Sequence, residues 1–169
     1  TPNGNGGIKA VTAIKKLGLI TVEGKGMMGI PGIAARSFGA VARDGQSVLL
    51  ISQASSEQSI CFAAPDDATG SIIRSLEAEF KVELARQDID RIWAHEPVSI
   101  VTIVGAGMRG TPGIAGRIFM ALGEQKVNAI AIAQGSSECS ISVVVDDADT
   151  AVATCDDDHG MCSCLVCSN

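Results

Sequence analysis

Apolar and polar residues alternate along this chain in a pattern that predicts short strands separated by amphipathic helices. Runs rich in Ile, Val and Leu are bounded by Gly, Pro, Asn or Asp, as strands usually are. Other segments place apolar residues three and four positions apart after a Pro or an Asp, which suits the start of a helix. The predicted strands are 8–14, 17–23, 47–52, 59–64, 82–84, 99–104, 127–133 and 139–145. The predicted helices are 31–43, 65–80, 112–125 and one that begins at 146, with a charged connector at 85–97.

This order of elements occurs twice, because the sequence repeats itself at a constant offset of 81 residues. Gly24 matches Gly105, and the match runs without a gap as far as Ile60 and Ile141. A gapless self-match of this length indicates a duplicated unit. Each copy is therefore predicted to read β-α-β-β-α with a final β.

That order predicts an α+β fold of two ferredoxin-like βαββαβ units, each an antiparallel sheet with its helices on one face. We place the first unit at 8–95 and the second at 96–153. The repeat pattern ends near residue 153, so we expect 1–7 and 154–169 to be flexible or non-native tails. The chain begins without Met, and we expect it to be a piece of a longer polypeptide.

Composition narrows the classes of partner. The net charge of −6 argues against nucleic acid or an anionic membrane surface. No apolar run approaches the length of about 18 residues that a membrane-spanning helix needs. Aromatic residues make up only 3% of the chain, so we expect a core of Ile, Val, Leu and Ala.

Cysteines crowd the C-terminal end of the chain. A structural zinc site is one interpretation, because thiolate and imidazole are zinc ligands. The spacing is not that of paired CxxC motifs, so we favour an unstructured tail and predict no metal site. The residues concerned are Cys155, His159, Cys162, Cys164 and Cys167. Cys61 and Cys139 lie in predicted strands, where we expect small buried apolar residues.

A Gly-rich segment follows the first strand of each copy. Residues 24–29 and 105–110 both match G-x-G-x-x-G, which in a dinucleotide-binding fold is followed by an acidic residue at the end of the next strand. Here that strand ends in Gln53 and in Gln134. The elements that come next indicate a hairpin and not a parallel crossover. The sequence therefore disfavours an enzyme that binds a nucleotide here.

The two glutamines suggest a different ligand. Each ends a central strand, so its amide is expected near the Gly-rich turn and the N-terminus of the following helix. A zwitterionic amino acid suits such a pocket, with its carboxylate at the helix N-terminus and its polar side chain at the amide. The alternative is that Gln53 and Gln134 only satisfy backbone groups of the turn. No acid–base pair or nucleophile set is recognisable, and for the repeated Arg36 and Arg117 we favour salt bridges over ligand contacts.

Four segments resemble one known family. They are 26–36 (GMMGIPGIAAR) with 51–62 (ISQASSEQSICF), and 107–117 (GMRGTPGIAGR) with 132–142 (IAQGSSECSIS). These motifs are similar to the tandem ACT domains of aspartokinase, above all the threonine-sensitive type that includes bifunctional aspartokinase–homoserine dehydrogenase. The resemblance covers 8 to about 152.

The resemblance implies a regulatory role. The parent enzyme would phosphorylate the side-chain carboxylate of aspartate with ATP and Mg²⁺, and this chain would hold no cofactor of its own. It would bind L-threonine, or L-lysine as the alternative effector, and report it to a kinase domain of the same polypeptide. It would form a homodimer through its ACT sheets, without nucleic acid or membrane, in the cytoplasm or in the plastid stroma of a plant. A stand-alone amino-acid-binding ACT protein is the other interpretation.

The resemblance also implies a set of effector contacts. They come from the glutamine that ends the central strand, the turn before the first helix and a residue at a strand start. The matching residues are Gln53, Gln134, Met28, Gly29, Ile30, Pro31, Ser47, Arg109, Gly110, Thr111, Pro112 and Asn128. Ser47 departs from the Asn that is typical at its position, whereas Asn128 keeps it. Aspartokinases often thread one ACT unit into the other, which would alter the simple division at residue 96.

Overall fold

The computed structural model describes residues 8–53, 58–105, 112–134 and 140–154. The strands are β1 (Ile8–Glu23), β2 (Leu50–Gln53), β3 (Ser59–Pro65), β4 (Arg91–Gly105), β5 (Ala131–Ala133) and β6 (Ser140–Asp146). The α-helices are α1 (Ile33–Arg43), α2 (Thr69–Glu79), α3 (Lys81–Ala85), α4 (Ile114–Glu124) and α5 (Thr150–Thr154). Short 3₁₀ turns cover Lys25–Met27, Asp66–Ala68 and Asp147–Asp149.

The chain divides into two compact units, and both boundaries fall inside long strands. Unit A is Lys16–Pro97, and unit B combines the described residues before 16 with those from Val98 onward. β1 and β4 therefore each contribute one half to unit A and the other half to unit B.

Unit A is an antiparallel sheet with the strand order β2-β3-β1-β4. β3 pairs with β1 from Leu17↔Pro65 to Glu23↔Ser59, and β2 pairs with β3 up to Gln53↔Ile60. The core lies between one face of this sheet and the helices α1 and α2. Its fully buried side chains include Ile20, Val22, Ile60, Phe62, Ile72, Leu76 and Phe80. Each such burial stabilises the fold by roughly 1.5–3 kcal/mol relative to exposure.

Unit B repeats this arrangement with a strand from elsewhere in the chain. β6 pairs antiparallel with both β4 (98–104) and β5. Residues 8–15 of β1 lie at the other side of β4, where Val11 and Ala13 pack against the core of the unit. They take the place that 91–97 has in unit A. The buried core residues include Val101, Ile103, Ile118, Leu122, Ile141, Val143 and Val145.

The structure corrects four sequence predictions. Residues 82–84 belong to the helix α3 and not to a strand, and 91–97 form the first half of β4 and not a connector. The two predicted strands 8–14 and 17–23 are one strand. Since 8–15 belongs to unit B, the division into 8–95 and 96–153 is replaced by the interleaved one. Periodicity identified 8–14 as a strand, but it carries no information about which sheet that strand joins.

Candidate functional site

Unit A contains a cleft at the point where β1 ends, α1 begins and β2 ends. Its volume is about 370 Å³, within the usual range of about 300–1,000 Å³ for small-ligand pockets. The residues that line it are Met27, Gly29, Ile30, Pro31, Gly32, Ile33, Ala34, Gln53 and Ile60. Among the described residues that line the cleft, apolar side chains form most of the wall and Gln53 supplies the polar side chain.

The turn before α1 gives the cleft its shape. Gly29 and Gly32 have φ of 83° and 84°, in the left-handed region where a side chain would be strained. Gly32 is the residue that caps α1, and its carbonyl accepts a hydrogen bond from the Arg36 N–H at 2.8 Å. The first N–H groups of a helix have no partner within the helix, and here they belong to residues that line the cleft. The helix dipole adds a partial positive charge at the same point.

Gln53 lies where the sequence predicts it. It is the last residue of β2, pairs with Ile60 across the hairpin and is exposed toward the cleft that Gly29 and Pro31 also line. Gln53 and the Gly-rich turn therefore line the same cleft, and the role of the amide as an effector contact stays a prediction. An amide offers two donors and one acceptor, so it can recognise a hydroxyl or a carbonyl.

Two predicted residues do not line the cleft. Met28 is 64% exposed, and Ser47 lies exposed in the segment between α1 and β2. Sequence reasoning in turn missed Met27, Ile33, Ala34 and Ile60, which form the apolar wall. Pairing Gln53 with Ile60 across the predicted hairpin was the signal that could have found one of them.

The first two glycines of the G-x-G-x-x-G segment serve packing. A Cβ on Gly24 would lie 2.3 Å from the Asp88 carbonyl oxygen, and one on Gly26 would lie 2.7 Å from the Asp88 Cα. The Gly24 N–H donates to the Gln58 carbonyl, and the Lys25 N–H donates to a carboxylate oxygen of Asp90. These two N–H groups are therefore used inside the protein.

Arg36, one turn into α1, joins an ion cluster. Its Nε donates to Glu79 at 2.9 Å, one terminal nitrogen bonds Glu83, and the other donates to the Glu79 carbonyl at 2.9 Å. The guanidinium also lies 4.7 Å from the centre of the Phe80 ring. The salt-bridge interpretation of Arg36 is confirmed. Hydrogen bonds from Arg36 are the main cause that holds the pKa of Glu79 and of Glu83 below the ordinary value, and they raise the pKa of Arg36.

The corresponding part of unit B is described only in part. Gly113 caps α4 with φ of 85°, as Gly32 caps α1, and Pro112 before it is exposed. Asn128 and Gln134 are exposed as well, and Gln134 directly follows β5. The other three predicted contacts, Arg109, Gly110 and Thr111, lie outside the described residues.

The cysteines are only partly within the described chain. Cys61 lies in β3, as predicted, where it is half-buried and its thiol donates to the Ser52 carbonyl at 3.3 Å. Burial raises the pKa of this thiol. Cys139 and the C-terminal residues from Cys155 onward lie outside the described residues.

Comparison with known proteins identifies the family. The profile of the ACT domain matches residues 20–80 and 101–155, one match in each copy of the repeat. The chain belongs to the ACT domain family. The matches include the Gly-rich turn, the first helix and the hairpin of each copy.

Similar ACT regions occur within much longer proteins. The chain is 42% identical over 142 residues to the chloroplastic bifunctional aspartokinase/homoserine dehydrogenase 1 of Zea mays, with 84% of the chain and 15% of that protein covered. It is 43% identical over 138 residues to the bifunctional aspartokinase/homoserine dehydrogenase of Haemophilus influenzae, with 82% and 17% covered. The chain thus spans about a sixth of the length of these relatives.

Solved structures share the fold. The regulatory subunit of aspartate kinase from Thermus flavus is 26% identical with a TM-score of 0.70, and 85% of this chain and 91% of that one are covered. The aspartate kinase of Clostridium acetobutylicum, described as an important allosteric enzyme, is 26% identical with a TM-score of 0.75, at 89% and 34% coverage. In the described part of the chain, no helix has both the length and the apolar character to cross a membrane.

Proposed function

We propose that this chain is the regulatory region of an aspartate kinase, and that it binds L-threonine in the cleft of unit A as a feedback effector. The observation that carries the proposal is the composition of the cleft: a helix N-terminus, one amide side chain and an apolar wall within about 370 Å³. The similarity to bifunctional aspartokinase/homoserine dehydrogenases supports the proposal that the parent enzyme is an aspartate kinase.

Three parts of threonine, its carboxylate, its hydroxyl and its methyl group, have a matching group in the cleft. The carboxylate fits the free N–H groups and the partial positive charge at the N-terminus of α1. The side-chain hydroxyl can both donate to and accept from the amide of Gln53. The methyl group suits the apolar wall that Met27 and Ile60 provide.

The same composition disfavours lysine. Its ε-ammonium would leave water and would need an acceptor of opposite charge. The described residues that line the cleft include no Asp or Glu. Threonine carries no such second charge, so it is the better match for this cleft.

Regulation follows from where the effector binds. An effector shifts a conformational equilibrium only by binding one state better than the other, and the usual coupling is about 1–3 kcal/mol. The kinase chemistry, with ATP and Mg²⁺, would lie in the rest of the polypeptide, which we place in the cytoplasm or in the stroma of a plant plastid.

We also propose a homodimer through the sheets, because the edge strand β2 exposes Ile51 by 50%. Light scattering of wild type and Ile51→Glu tests the dimer.

The decisive variant is Gln53→Ala in the full-length enzyme. Without the amide, the threonine hydroxyl loses its partner, and we expect the threonine concentration for half-inhibition to rise about tenfold, which corresponds to about 1.4 kcal/mol. Gln58→Ala is the matched control, since it removes an exposed amide on the same hairpin that does not line the cleft. Inhibition that is unchanged in both Gln53→Ala and Gln134→Ala would exclude these glutamines as effector contacts.

A further inference from the structure

One segment of unit A contacts two elements that border the cleft, the helix α1 and the turn that follows β1. It runs from Glu79 at the end of α2 through α3 to Asp90, directly before β4, and we call it the bracket (79–90). On one side it holds α1, whose N-terminus lines the cleft. On the other side it holds the 3₁₀ turn that leads from β1 to Met27.

The contact with α1 is made through Arg36. All three guanidinium nitrogens are engaged, two with Glu79 and one with Glu83, and the group stacks on Phe80. The side chain of Glu83 is only 13% exposed. A planar guanidinium held at several points fixes orientation as well as distance. Arg36 therefore determines where the first turn of α1 lies.

The contact with the 3₁₀ turn is made by backbone groups of the turn, which meet the carboxylate and the backbone of Asp90. The Lys25 N–H donates to Asp90 at 3.1 Å, and the Asp90 N–H donates to the Glu23 carbonyl at 2.8 Å. Gly24 and Gly26 pack so closely on 88–90 that neither has room for a side chain. The position of this turn, and with it Met27, is therefore set by the same bracket.

We propose that Arg36 is the positioning residue of the cleft, and that the bracket keeps the two walls at the separation that an amino-acid effector needs. This inference rests on the proposed function for the identity of the effector. Its structural part, that Arg36 holds the N-terminus of α1 in place, is independent of any ligand.

Arg43 provides a matched control. It lies on the same helix and also pairs with Glu79, at 2.6 Å, but two turns further from the cleft, and its side chain is 65% exposed. Both Arg36→Met and Arg43→Met remove a cation that pairs with Glu79. Only Arg36→Met releases the turn of α1 that lines the cleft.

The first test uses the chain without ligand. Hydrogen–deuterium exchange of the amides in 24–36 is compared among wild type, Arg36→Met and Arg43→Met. We expect exchange in 24–36 to be about tenfold faster in Arg36→Met alone, with 60–64 in β3 unchanged, since loss of the bracket contact opens this region locally. Equal exchange in all three proteins would overturn the positioning role.

The second test measures L-threonine affinity through Trp93, the single tryptophan, which lies in β4 three residues after the bracket. We expect Arg36→Met to weaken binding about tenfold and Arg43→Met to leave it within about twofold, typical of coupling on this scale. Glu83→Gln keeps the shape of the side chain and leaves the contact of Arg36 with Glu79 in place, so its threonine affinity should lie between those of Arg36→Met and Arg43→Met. This variant also keeps the test valid if Arg36→Met does not fold. Equal affinity of Arg36→Met and Glu83→Gln with wild type would overturn the proposal. No threonine binding by wild type would instead reject the proposed function, and the exchange experiment would still decide the role of Arg36.

Discussion

Units A and B arise from the same repeated sequence, but they complete their sheets with strands from different places in the chain. In unit A the last strand, 91–97, follows the helices of that unit directly. In unit B the corresponding strand is 8–15, from the opposite end of the described chain. The comparison shows that a βαββαβ unit needs a strand at its edge position. That strand does not have to follow the helices of the unit in the chain.

The largest expected effect comes from removing strand 8–15. The contiguous division at residue 96 assigns this strand to the first unit, whereas the interleaved division assigns it to unit B. Deletion of 1–15 should unfold or strongly destabilise unit B, because β4 loses one of its two neighbouring strands and the core loses the packing of Val11 and Ala13. Hydrogen exchange should show loss of protection in 98–105 and retained protection in 59–65. Loss of protection in unit A with unit B intact would instead support the contiguous division at residue 96.

No local sequence pattern predicts the interleaving of the two units, which only the family resemblance raised as an alternative to the division at residue 96. The site, in contrast, could be predicted in part from local patterns. The repeat, the Gly-rich turn before α1 and the strand that ends in Gln53 all follow from local patterns. The turn and the end of this strand form two sides of the cleft. The missed strand 91–97 shows why charge misled the prediction. Ile92 and Ala94 face the core, while Arg91 stacks on Trp93 and pairs with Glu23 on the other face. The period of two was present but was hidden by charged residues that a connector would also have.

The ion cluster of Arg36 makes the stability of unit A sensitive to acid pH. Glu79 and Glu83 have a pKa below the ordinary value of 4.5, so their contribution to stability is present above that value and is lost as pH falls through their lowered pKa. We expect the urea midpoint of unit A to fall as the pH decreases from about 5. Arg36→Met should reduce the midpoint at pH 7 and flatten this dependence, and the two curves should converge at low pH. Parallel curves for wild type and Arg36→Met would contradict the assignment.

The smallest expected effect comes from exchanging matched helix residues. Gly116 in α4 occupies the position of Ala35 in α1, and both are exposed. Gly116→Ala meets no atom within 4 Å and should stabilise unit B by about 0.5–1 kcal/mol, because alanine loses less backbone freedom on folding. Ala35→Gly should destabilise unit A by a similar amount. Urea unfolding of both variants checks the pair, and shifts of the same sign would show that the two helices are not equivalent.

The central claim is that the cleft of unit A recognises threonine by a helix N-terminus and one amide. Isothermal titration of this chain with L-threonine, and with L-lysine in parallel, tests it most directly. The account predicts saturable heat with threonine, none with lysine, and about tenfold weaker binding of threonine in Gln53→Ala. Saturable heat with lysine and none with threonine would contradict the assignment of the effector, and no heat with either would contradict the cleft as an effector site.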